Sequence, residues 1–369
     1  MQIPFFSFRD FPGGLTQQVE EALVQELRQQ RLILGPTVTA FEQEFAQLLG
    51  EGEVIGVGNG YDALVLCLKA LGIGPGQEVV VPSNGYIATV NAVMQVGATP
   101  VFAEPDGETY NMTAATVTAV LTGKTKAILP IHLYGQSCEL TDLLHLTQKQ
   151  NLYLLEDFAQ AHGATYKGRR VGTFGQINAT SFYPTKNMGA AGDGGAVTTQ
   201  DPALANWVRQ HHNYGQQEQY VFAQVGINSR LDSLQAAVLR VKLKVLDQLN
   251  HERQRLGQRY HIALANVGDL VLPLATREGV DHVYHLYVIR TAQRDQLQAF
   301  LQNKGIGTLI HYPVPPHLQP AYRHLGFKPG AFPVAENLAK TCLSLPLFPG
   351  LSEAEQDYII TQIEAFFRR

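Results

Sequence analysis

The sequence predicts an α/β protein with a mostly parallel sheet in a large domain, followed by a smaller α+β C-terminal domain. From about residue 53, short apolar runs of strand length alternate with segments of helix length. This alternation is typical of a parallel sheet that is covered on both faces. After about residue 250 the pattern changes to one alternating strand, helices and a proline-rich loop. A length of 369 residues is enough for two domains of ordinary size.

The chain begins with two predicted amphipathic helices. Apolar residues recur at helical spacing in the first segment, which predicts a helix over residues 16–30 with Thr16 as its N-cap. A second helix is predicted over residues 39–49, and Gly50 ends it. Both helices precede the alternating part of the chain.

The alternating part predicts the sheet and the helices that cover it. The expected strands are 54–57, 78–81, 99–102, 127–129 and 152–155, and the expected helices are 62–71, 87–96 and 140–150. Residues 164–200 predict short strands and glycine-rich turns, with a final strand at 195–199. A long helix is predicted from residue 231 to about residue 255. We place the boundary between the large domain (1–249) and the small domain (250–369) within it.

The small domain shows three clear patterns. Residues 283–289 alternate in the manner of a strand, and helices are predicted over 294–304 and 352–367. A loop with prolines at 313, 315, 316 and 320 lies between them.

Composition argues against several partners and locations. A hydrophobic content of 45% with 16% charged residues excludes a disordered chain. A net charge of −4 without a basic block argues against nucleic acid and anionic membranes as partners. Three scattered cysteines favour a reducing compartment, and neither a signal peptide nor a membrane-spanning run is apparent. We therefore expect a cytoplasmic protein.

Several common catalytic motifs fail at a required residue. Residues 56–60 resemble a dinucleotide fingerprint, but Tyr61 stands where its third glycine is needed. The P-loop-like end at 123–125 has Thr118 in place of the first glycine, and a possible zinc motif at 251–252 has Arg255 in place of its second histidine. C-x-x-C and G-x-S-x-G are absent. Dehydrogenase, P-loop, zinc-hydrolase and α/β-hydrolase activities lose their main support, and no metal site is predicted.

An aspartate and a lysine remain as candidate catalytic residues. Asp157 follows an apolar strand, and ligands bind at the carboxyl ends of strands in open α/β sheets. Lys186 lies between a strand and a glycine-rich turn. This pair suits a pyridoxal phosphate (PLP) enzyme, in which the lysine forms a Schiff base and the aspartate pairs with the pyridinium nitrogen. Either residue alone is more often structural, so spacing by itself leaves both interpretations open.

Four separated segments resemble the DegT/DnrJ/EryC1/StrS sugar aminotransferases. They are residues 58–64, 156–163, 181–195 and 228–232, and they occur in the family's order. The resemblance implies the fold of the fold-type I PLP-dependent transferases, similar to aspartate aminotransferase. It also implies PLP as cofactor, a nucleotide-linked keto sugar as substrate, and a homodimer with shared active sites.

The resemblance assigns catalysis and contacts with the cofactor ring. Lys186 resembles the Schiff-base lysine, and Asp157 resembles the partner of the ring nitrogen. Gln160 would lie beside the ring, and Tyr86 would stack on it.

The resemblance also assigns contacts with the cofactor phosphate. Ser181 would hold the phosphate, together with the backbone N–H groups of Gly60 and Tyr61 at a helix N-terminus. Tyr61 stands where many members have threonine or serine, which puts a side-chain hydroxyl contact in doubt. Asn228 resembles a residue that reaches the phosphate of the neighbouring subunit.

The substrate is suggested by residues 82–89, 104–106 and 311–317. They resemble members that aminate the 3-keto carbon of a dTDP-6-deoxyhexose in deoxysugar biosynthesis, with glutamate as the usual donor. Tyr183, His311 and Tyr312 are candidate substrate contacts; a packed strand residue and a proline-fixed surface turn are the structural alternatives. The competing functions are a 4-keto or UDP-sugar aminotransferase of the same family and a non-catalytic PLP-binding regulator.

Overall fold

The computed structural model describes residues 1–50, 52–274 and 277–368. The helices are α1 (Leu15–Gln29), α2 (Pro36–Leu49), α3 (Gly60–Ala70), α4 (Ile87–Gln95), α5 (Ala114–Thr118), α6 (Leu140–Gln150), α7 (Pro202–His211), α8 (Ser233–Leu243), α9 (Leu246–Ala263), α10 (Arg294–Asn303), α11 (Pro333–Thr341) and α12 (Glu353–Phe367). The strands are β1 (Glu53–Val57), β2 (Glu78–Pro82), β3 (Thr99–Ala103), β4 (Thr125–Ile128), β5 (Tyr153–Leu154), β6 (Thr165–Tyr166), β7 (Arg169–Arg170), β8 (Ile177–Ser181), β9 (Gly195–Thr199), β10 (Gln216–Glu218), β11 (Val221–Phe222), β12 (Tyr287–Arg290) and β13 (Cys342–Leu345).

The central sheet is mostly parallel, as the sequence predicts. Strands β3, β2, β4 and β5 pair in that order and all run parallel. Single bridges then join Asp157 to Ile131 on one side and to Ala179 of β8 on the other. Strand β9 runs antiparallel between β8 and β1. Asp157 therefore lies in the middle of the sheet, where its two halves meet.

Each face of the sheet is buried against helices. Val80 packs on one face with Phe41 of α2, whereas its neighbours Val79 and Val81 pack on the other face near α3 and α4. Successive side chains of a strand point to opposite faces, so an all-apolar strand fills both layers. The uninterrupted valines of β2 are the sequence signature of this burial.

The N-termini of α1 and α2 differ from the prediction. Thr16 is not an N-cap: α1 begins at Leu15, and the carboxylate of Asp10 accepts hydrogen bonds from the N–H groups of Gly14 and Thr16. Helix α2 begins at Pro36 instead of residue 39, because proline fits the first helical position.

The predicted helix over 231–255 is wrong as a single element. Helix α8 ends at Leu243 and α9 begins at Leu246, because Val245 departs from helical geometry with φ −117° and ψ 8°. Helices α5 and α11 and strand β13 are not among the predicted elements. The expected domain boundary falls within α9 and stays a prediction.

The strand predicted over 283–289 is confined to β12. The residues before it pair with a loop: the N–H of Val283 donates to Gly135, and that of Leu286 donates to Tyr134. Tyr284 also adopts a left-handed φ of 43°, which interrupts an extended strand. The alternation of residues over 283–289 therefore reflects which side chains are buried, although the first part of this segment is a turn and not a strand.

The C-terminal part has its own core. The side chains of α9, α10, α12, β12 and β13 pack together, and Ile3 from the N-terminus joins them beside Ile306. None of the described helices has the length and apolar character needed to cross a membrane.

Candidate active site

A cavity of about 550 Å³ lies beside Asp157, and we call it the central cavity. Its volume is in the range of sites for small molecules. Ten of the residues singled out from the sequence line it: Gly60, Tyr61, Tyr86, Asp157, Gln160, Ser181, Tyr183, Lys186, His311 and Tyr312. The chain therefore brings together residues that lie up to about two thirds of its length apart in sequence.

Asp157 is held on both its backbone and its side chain. Its N–H donates to Pro130, and its carbonyl accepts from the N–H of His132. Its carboxylate accepts from the hydroxyl of Thr89 at 3.0 Å and from the N–H of Ala159 at 3.2 Å. Burial raises the pKa of Asp157, and the Ala159 N–H, the charge of Lys186 and the Thr89 hydroxyl oppose that rise. The carboxylate is fixed in direction and ready to accept a cationic N–H.

Lys186 is partly buried and faces neutral imidazoles. Burial lowers the pKa of Lys186 to about 8, although the charge of Asp157 acts to raise it. Burial also lowers the pKa of His162 to about 3 and of His311 to about 4, and lowers that of His285 well below its ordinary value. The Lys186 amine is therefore more easily deprotonated than an exposed lysine and meets no competing cation among these three side chains.

The N-terminus of α3 forms a cradle for an anion. Asn59 caps the helix by accepting from the N–H of Asp62 at 2.8 Å, which leaves the N–H groups of the first turn at the cavity wall. A Cβ at Gly60 would lie 2.4 Å from the Cβ of Ser181, so glycine is needed for β8 to approach. Helix dipole, free N–H groups and the Ser181 hydroxyl together suit a phosphate.

Gln160 links the loop around Tyr134 to the proline-rich loop that carries Tyr312. Its side-chain oxygen accepts from the N–H of Tyr134 at 2.7 Å, and its side-chain nitrogen donates to the hydroxyl of Tyr312 at 3.3 Å. The rings of Tyr86 and Tyr312 lie 5.5 Å apart. His311 is fixed by a 2.8 Å hydrogen bond between its Nδ1 and the Ser344 hydroxyl. These contacts place both residues of the proline-rich loop at the cavity.

Asn228 does not line the central cavity of its own chain. It is exposed and follows the hairpin formed by β10 and β11. That hairpin presents Tyr220, Val221 and Phe222 to solvent, and Tyr220 is 81% exposed. The other predicted cofactor residues are brought together without it.

Sequence reasoning gave no role to Glu156, which is fully buried beneath the site. Its carboxylate accepts from the N–H groups of Gly172, Phe174 and Gly175 and from Nε2 of His132. The N–H of Cys138 donates to Nδ1 of that imidazole, so Nε2 carries the proton. Burial acts to raise the pKa of Glu156, but these hydrogen bonds hold it below its ordinary value.

Thr89 and His285 were also missed. Thr89 lies one helical turn after Tyr86, and this spacing was the only available signal for it. His285 lines the central cavity, and its enclosed Nδ1 has no partner among the described residues. No described group of three or more His, Cys, Asp or Glu side chains could hold a metal ion.

The residues present fit PLP. Lys186 offers an amine to an aldehyde, and Asp157 offers a carboxylate to a ring nitrogen. The cradle at Gly60 and Ser181, which a Cβ would fill, suits the phosphate. Tyr86 offers a partly exposed ring at the wall.

Comparisons with known proteins agree with this fit. Residues 15–364 match the model of the DegT/DnrJ/EryC1/StrS aminotransferase family. The chain is 47% identical over 365 residues to the "Erythromycin biosynthesis sensory transduction protein EryC1" of Saccharopolyspora erythraea, covering 99% of this chain and 100% of that protein. It is 42% identical over 368 residues to the "dTDP-3-amino-3,4,6-trideoxy-alpha-D-glucose transaminase" of Streptomyces venezuelae, covering 100% and 97%.

Solved structures show the same fold. The S. venezuelae DesV structure matches with a TM-score of 0.97 and 42% identity, covering 100% of this chain and 99% of that one. The Bacillus subtilis NtdA structure, which has the cofactor PMP bound, matches with a TM-score of 0.91 and 29% identity, covering 100% and 86%.

Proposed function

The chain belongs to the DegT/DnrJ/EryC1/StrS aminotransferase family, and we propose that it uses PLP to aminate the keto carbon of a nucleotide-linked sugar. One observation carries the proposal. Lys186, Asp157 and the phosphate cradle at Gly60 and Ser181 line a single cavity. An amine, a buried carboxylate and an anion cradle are the three groups that PLP-dependent transamination requires.

The cofactor contacts follow from the cavity wall. Ser181 and the first N–H groups of α3 would hold the phosphate, and Tyr86 and Gln160 would flank the ring. When bound, PLP supplies an aldehyde that bonds to amines and a ring that accepts electrons from the reacting carbon. We assign cofactor binding mainly to residues 1–249, and residues 250–369 contribute His311 and Tyr312.

Lys186 would carry the proton during the transfer. The lowered pKa of its amine makes the neutral form accessible near neutral pH. Nζ could therefore accept a proton from the α-carbon of the amino acid as a general base, and later give a proton to the reacting carbon of the sugar as a general acid. The surrounding neutral imidazoles would let Nζ bear a positive charge transiently without repulsion. Lys186 is the only lysine or arginine among the described residues that line the central cavity.

Asp157 would keep the ring nitrogen protonated. A carboxylate buried beside a cationic N–H favours the ionised pair, which stabilises negative charge on the ring. Thr89 positions this carboxylate, because its hydroxyl donates to Oδ2 and leaves Oδ1 to the N–H of Ala159. Thr89 thus acts through Asp157 and is a positioning residue.

The substrate we favour is a dTDP-3-keto-6-deoxyhexose, with glutamate as amino donor. The transaminase from Streptomyces venezuelae, which is 42% identical, is named for a dTDP-3-amino sugar. Tyr183, His311 and Tyr312 line the same cavity as Lys186 and offer hydroxyl and imidazole groups to a sugar. A 4-keto or UDP-linked sugar would use the same cofactor residues and differ only in these contacts.

We also propose a cytoplasmic homodimer in which Asn228 serves the partner's cofactor. Asn228 is exposed and does not line the central cavity of its own chain. It follows a hairpin whose tip exposes apolar side chains, as expected of a surface that a second copy covers.

A regulatory role is the second candidate, because the 47% identical relative is named a sensory transduction protein. Binding alone does not require an aspartate for the ring nitrogen or a lysine beside the reacting carbon. Retention of both Lys186 and Asp157 supports turnover.

Product identification tests the function. The purified holoprotein is incubated with glutamate and separate 3-keto and 4-keto sugars linked to dTDP or UDP, and products are identified by mass spectrometry and NMR. We expect glutamate to bleach the yellow cofactor band and a 3-amino dTDP-sugar to form. A band that persists with every amino donor would refute catalysis and support the regulator.

A further inference from the structure

Tyr134 contacts two segments of the active site without lining the central cavity itself. Its N–H donates to the side-chain oxygen of Gln160 at 2.7 Å. Its hydroxyl donates to the carbonyl of His311, the residue that precedes Tyr312. One residue therefore reaches both the side chain expected beside the cofactor ring and the loop expected to contact the sugar.

Tyr134 is itself held through its ring and through its backbone. The ring packs edge to face on Tyr110, with centroids 5.6 Å apart, and the side chain is buried. Its carbonyl accepts from the N–H of Leu286 at 3.2 Å. Its φ of 59° lies in the left-handed region, which is uncommon for a bulky residue and persists where surrounding contacts enforce it. Tyr134 can therefore serve as a fixed point for the two segments that it contacts.

The loop at residues 311–312 depends on Tyr134 for its hydrogen bonds to the first 249 residues. Within the described part of the chain there are two such bonds, one from the Tyr134 hydroxyl to His311 and one from Gln160 to Tyr312. The other side of the loop is held by the Ser344 hydroxyl, which lies 2.8 Å from Nδ1 of His311. Tyr134 thus joins this loop, directly and through Gln160, to the part of the chain that carries the catalytic amine.

The orientation of the Gln160 amide decides the role of the Tyr312 hydroxyl. A backbone N–H can only donate, so the side-chain oxygen of Gln160 must face Tyr134 and its nitrogen must face Tyr312. The nitrogen donates to the Tyr312 oxygen at 3.3 Å, and no described residue accepts a hydrogen bond from the Tyr312 O–H. Because Tyr312 lines the central cavity, its O–H is available to donate into that cavity.

Tyr312 stays a neutral hydrogen-bond donor at physiological pH. Burial raises the pKa of its hydroxyl, and the hydrogen bond from Gln160 opposes only part of that rise. A neutral O–H pairs with an oxygen that has a free lone pair, such as the keto and hydroxyl oxygens of a sugar. Without the N–H of Tyr134, the Gln160 amide could turn over and present its oxygen to Tyr312. The Tyr312 proton would then point at Gln160 instead of the cavity.

We propose that Tyr134 is a positioning residue for the sugar substrate. Its N–H orients Gln160, and its hydroxyl holds the loop at His311, so that Tyr312 donates a hydrogen bond to a sugar oxygen in the central cavity. The inference rests on the proposed function, because it supposes a keto sugar beside Lys186. It adds to that function a residue outside the cavity, which acts only through residues of the cavity wall.

Carbon NMR of the full chain without cofactor tests the positioning directly. Tyrosine labelled with ¹³C at Cζ reports on each hydroxyl, and Tyr312→Phe assigns the Tyr312 signal. Tyr134→Phe removes the hydroxyl and keeps the ring and the backbone N–H, and it should shift or broaden the Tyr312 signal. Gln160→Glu places a carboxylate oxygen, which can only accept, against Tyr312. The Tyr312 signal should then move toward the phenolate position, because its O–H would donate to that carboxylate.

Tyr260→Phe is the matched control. The Tyr260 side chain is buried, its hydroxyl donates to the carbonyl of Pro346 at 2.9 Å, and it does not line the central cavity. Tyr134→Phe and Tyr260→Phe each remove one hydrogen bond from a tyrosine hydroxyl to a carbonyl, so urea unfolding should show similar losses of stability. Only Tyr134→Phe should change the Tyr312 signal.

Amination by the holoprotein gives a second measurement. In Tyr134→Phe, we expect the KM for the keto sugar to rise about tenfold, the effect of losing one well-placed hydrogen bond. The rate at which saturating glutamate bleaches the cofactor band should change less than about twofold, because the loop is expected to contact the sugar. Tyr260→Phe should leave both quantities unchanged.

Three outcomes would overturn the inference: the Tyr312 signal is unchanged in both Tyr134→Phe and Gln160→Glu, Tyr260→Phe raises the KM for the sugar as much as Tyr134→Phe does, or Tyr134→Phe slows the glutamate step as much as the sugar step. If Tyr134→Phe does not fold, the Tyr312 signal of Gln160→Glu decides. A chain whose Tyr312 signal responds as expected but that aminates no sugar contradicts the proposed function alone. A chain that aminates sugars with the Tyr312 signal unchanged in both variants contradicts this inference alone.

Discussion

Replacing Thr89 with valine tests whether a single hydroxyl positions Asp157. The Thr89 hydroxyl is 3.0 Å from Oδ2 of Asp157, and the side chain is buried. Valine has nearly the same shape, so the change removes the hydrogen bond with little change in packing. A hydrogen bond to a charged group contributes about 1.5–3 kcal/mol, and we expect Thr89→Val to destabilise the ionised carboxylate by that amount.

The direction in which the stability of the folded chain changes with pH follows from the raised pKa of Asp157. The pKa of Asp157 is already raised by burial, so the folded chain keeps the proton to higher pH than the unfolded chain. Stability therefore falls as pH rises through the interval between the two pKa values. Thr89→Val raises the folded pKa further. The variant's deficit in unfolding free energy should grow as pH rises from the folded pKa of the unchanged chain to that of the variant, and level off above it at about 1.5–3 kcal/mol.

The assay combines two measurements on the cofactor-free protein. Carbon NMR of ¹³C-carboxyl-labelled aspartate follows the Asp157 titration, assigned with Asp157→Asn, and urea unfolding at several pH values gives the stability. Thr89→Ser keeps a hydroxyl and should restore most of both properties. If Thr89→Val leaves the Asp157 titration unchanged, or if serine fails to restore it, the positioning role is refuted.

Three further predictions concern the catalytic amine, the buried carboxylate and the shared site. Lys186→Ala should abolish turnover with no loss of folded structure by circular dichroism. In the unchanged holoprotein, borohydride should label the peptide that contains Lys186. Activity in the variant, or a label on another peptide, would contradict the covalent role of Lys186. Glu156→Gln should lower the unfolding free energy, measured by urea unfolding, by at least about 3 kcal/mol, because the amide nitrogen of glutamine would face N–H donors. A loss below about 1 kcal/mol would argue against a structural role for the Glu156 carboxylate. Asn228→Ala and Lys186→Ala chains, each inactive alone, should regain part of the activity when unfolded and refolded together, since a mixed dimer would keep one complete site; no recovery would contradict a shared site.

The sequence determined the local elements and the chemical groups. Uninterrupted apolar runs predicted the parallel strands, because a strand buried on both faces needs apolar side chains at every position. The helix over 140–150 and the strand over 195–199 are confirmed with the predicted bounds. The Lys186 and Asp157 segments could be identified because their residue types and order resemble a family. Their assignment to the cofactor stays a proposal, supported by their shared cavity.

Only the tertiary structure decided which groups meet. Thr89 and Asp157 are 68 positions apart, and no local pattern indicates that their side chains share a hydrogen bond. The segment before β12 alternates like a strand, yet it pairs with the loop around Gly135 and follows that loop's shape. Arg253 resembles an ordinary helical surface residue in the sequence, yet folding leaves it only 3% exposed. Sequence patterns report burial and backbone preference, whereas a site depends on contacts between distant segments, which exist only once the sheet and both cores have formed.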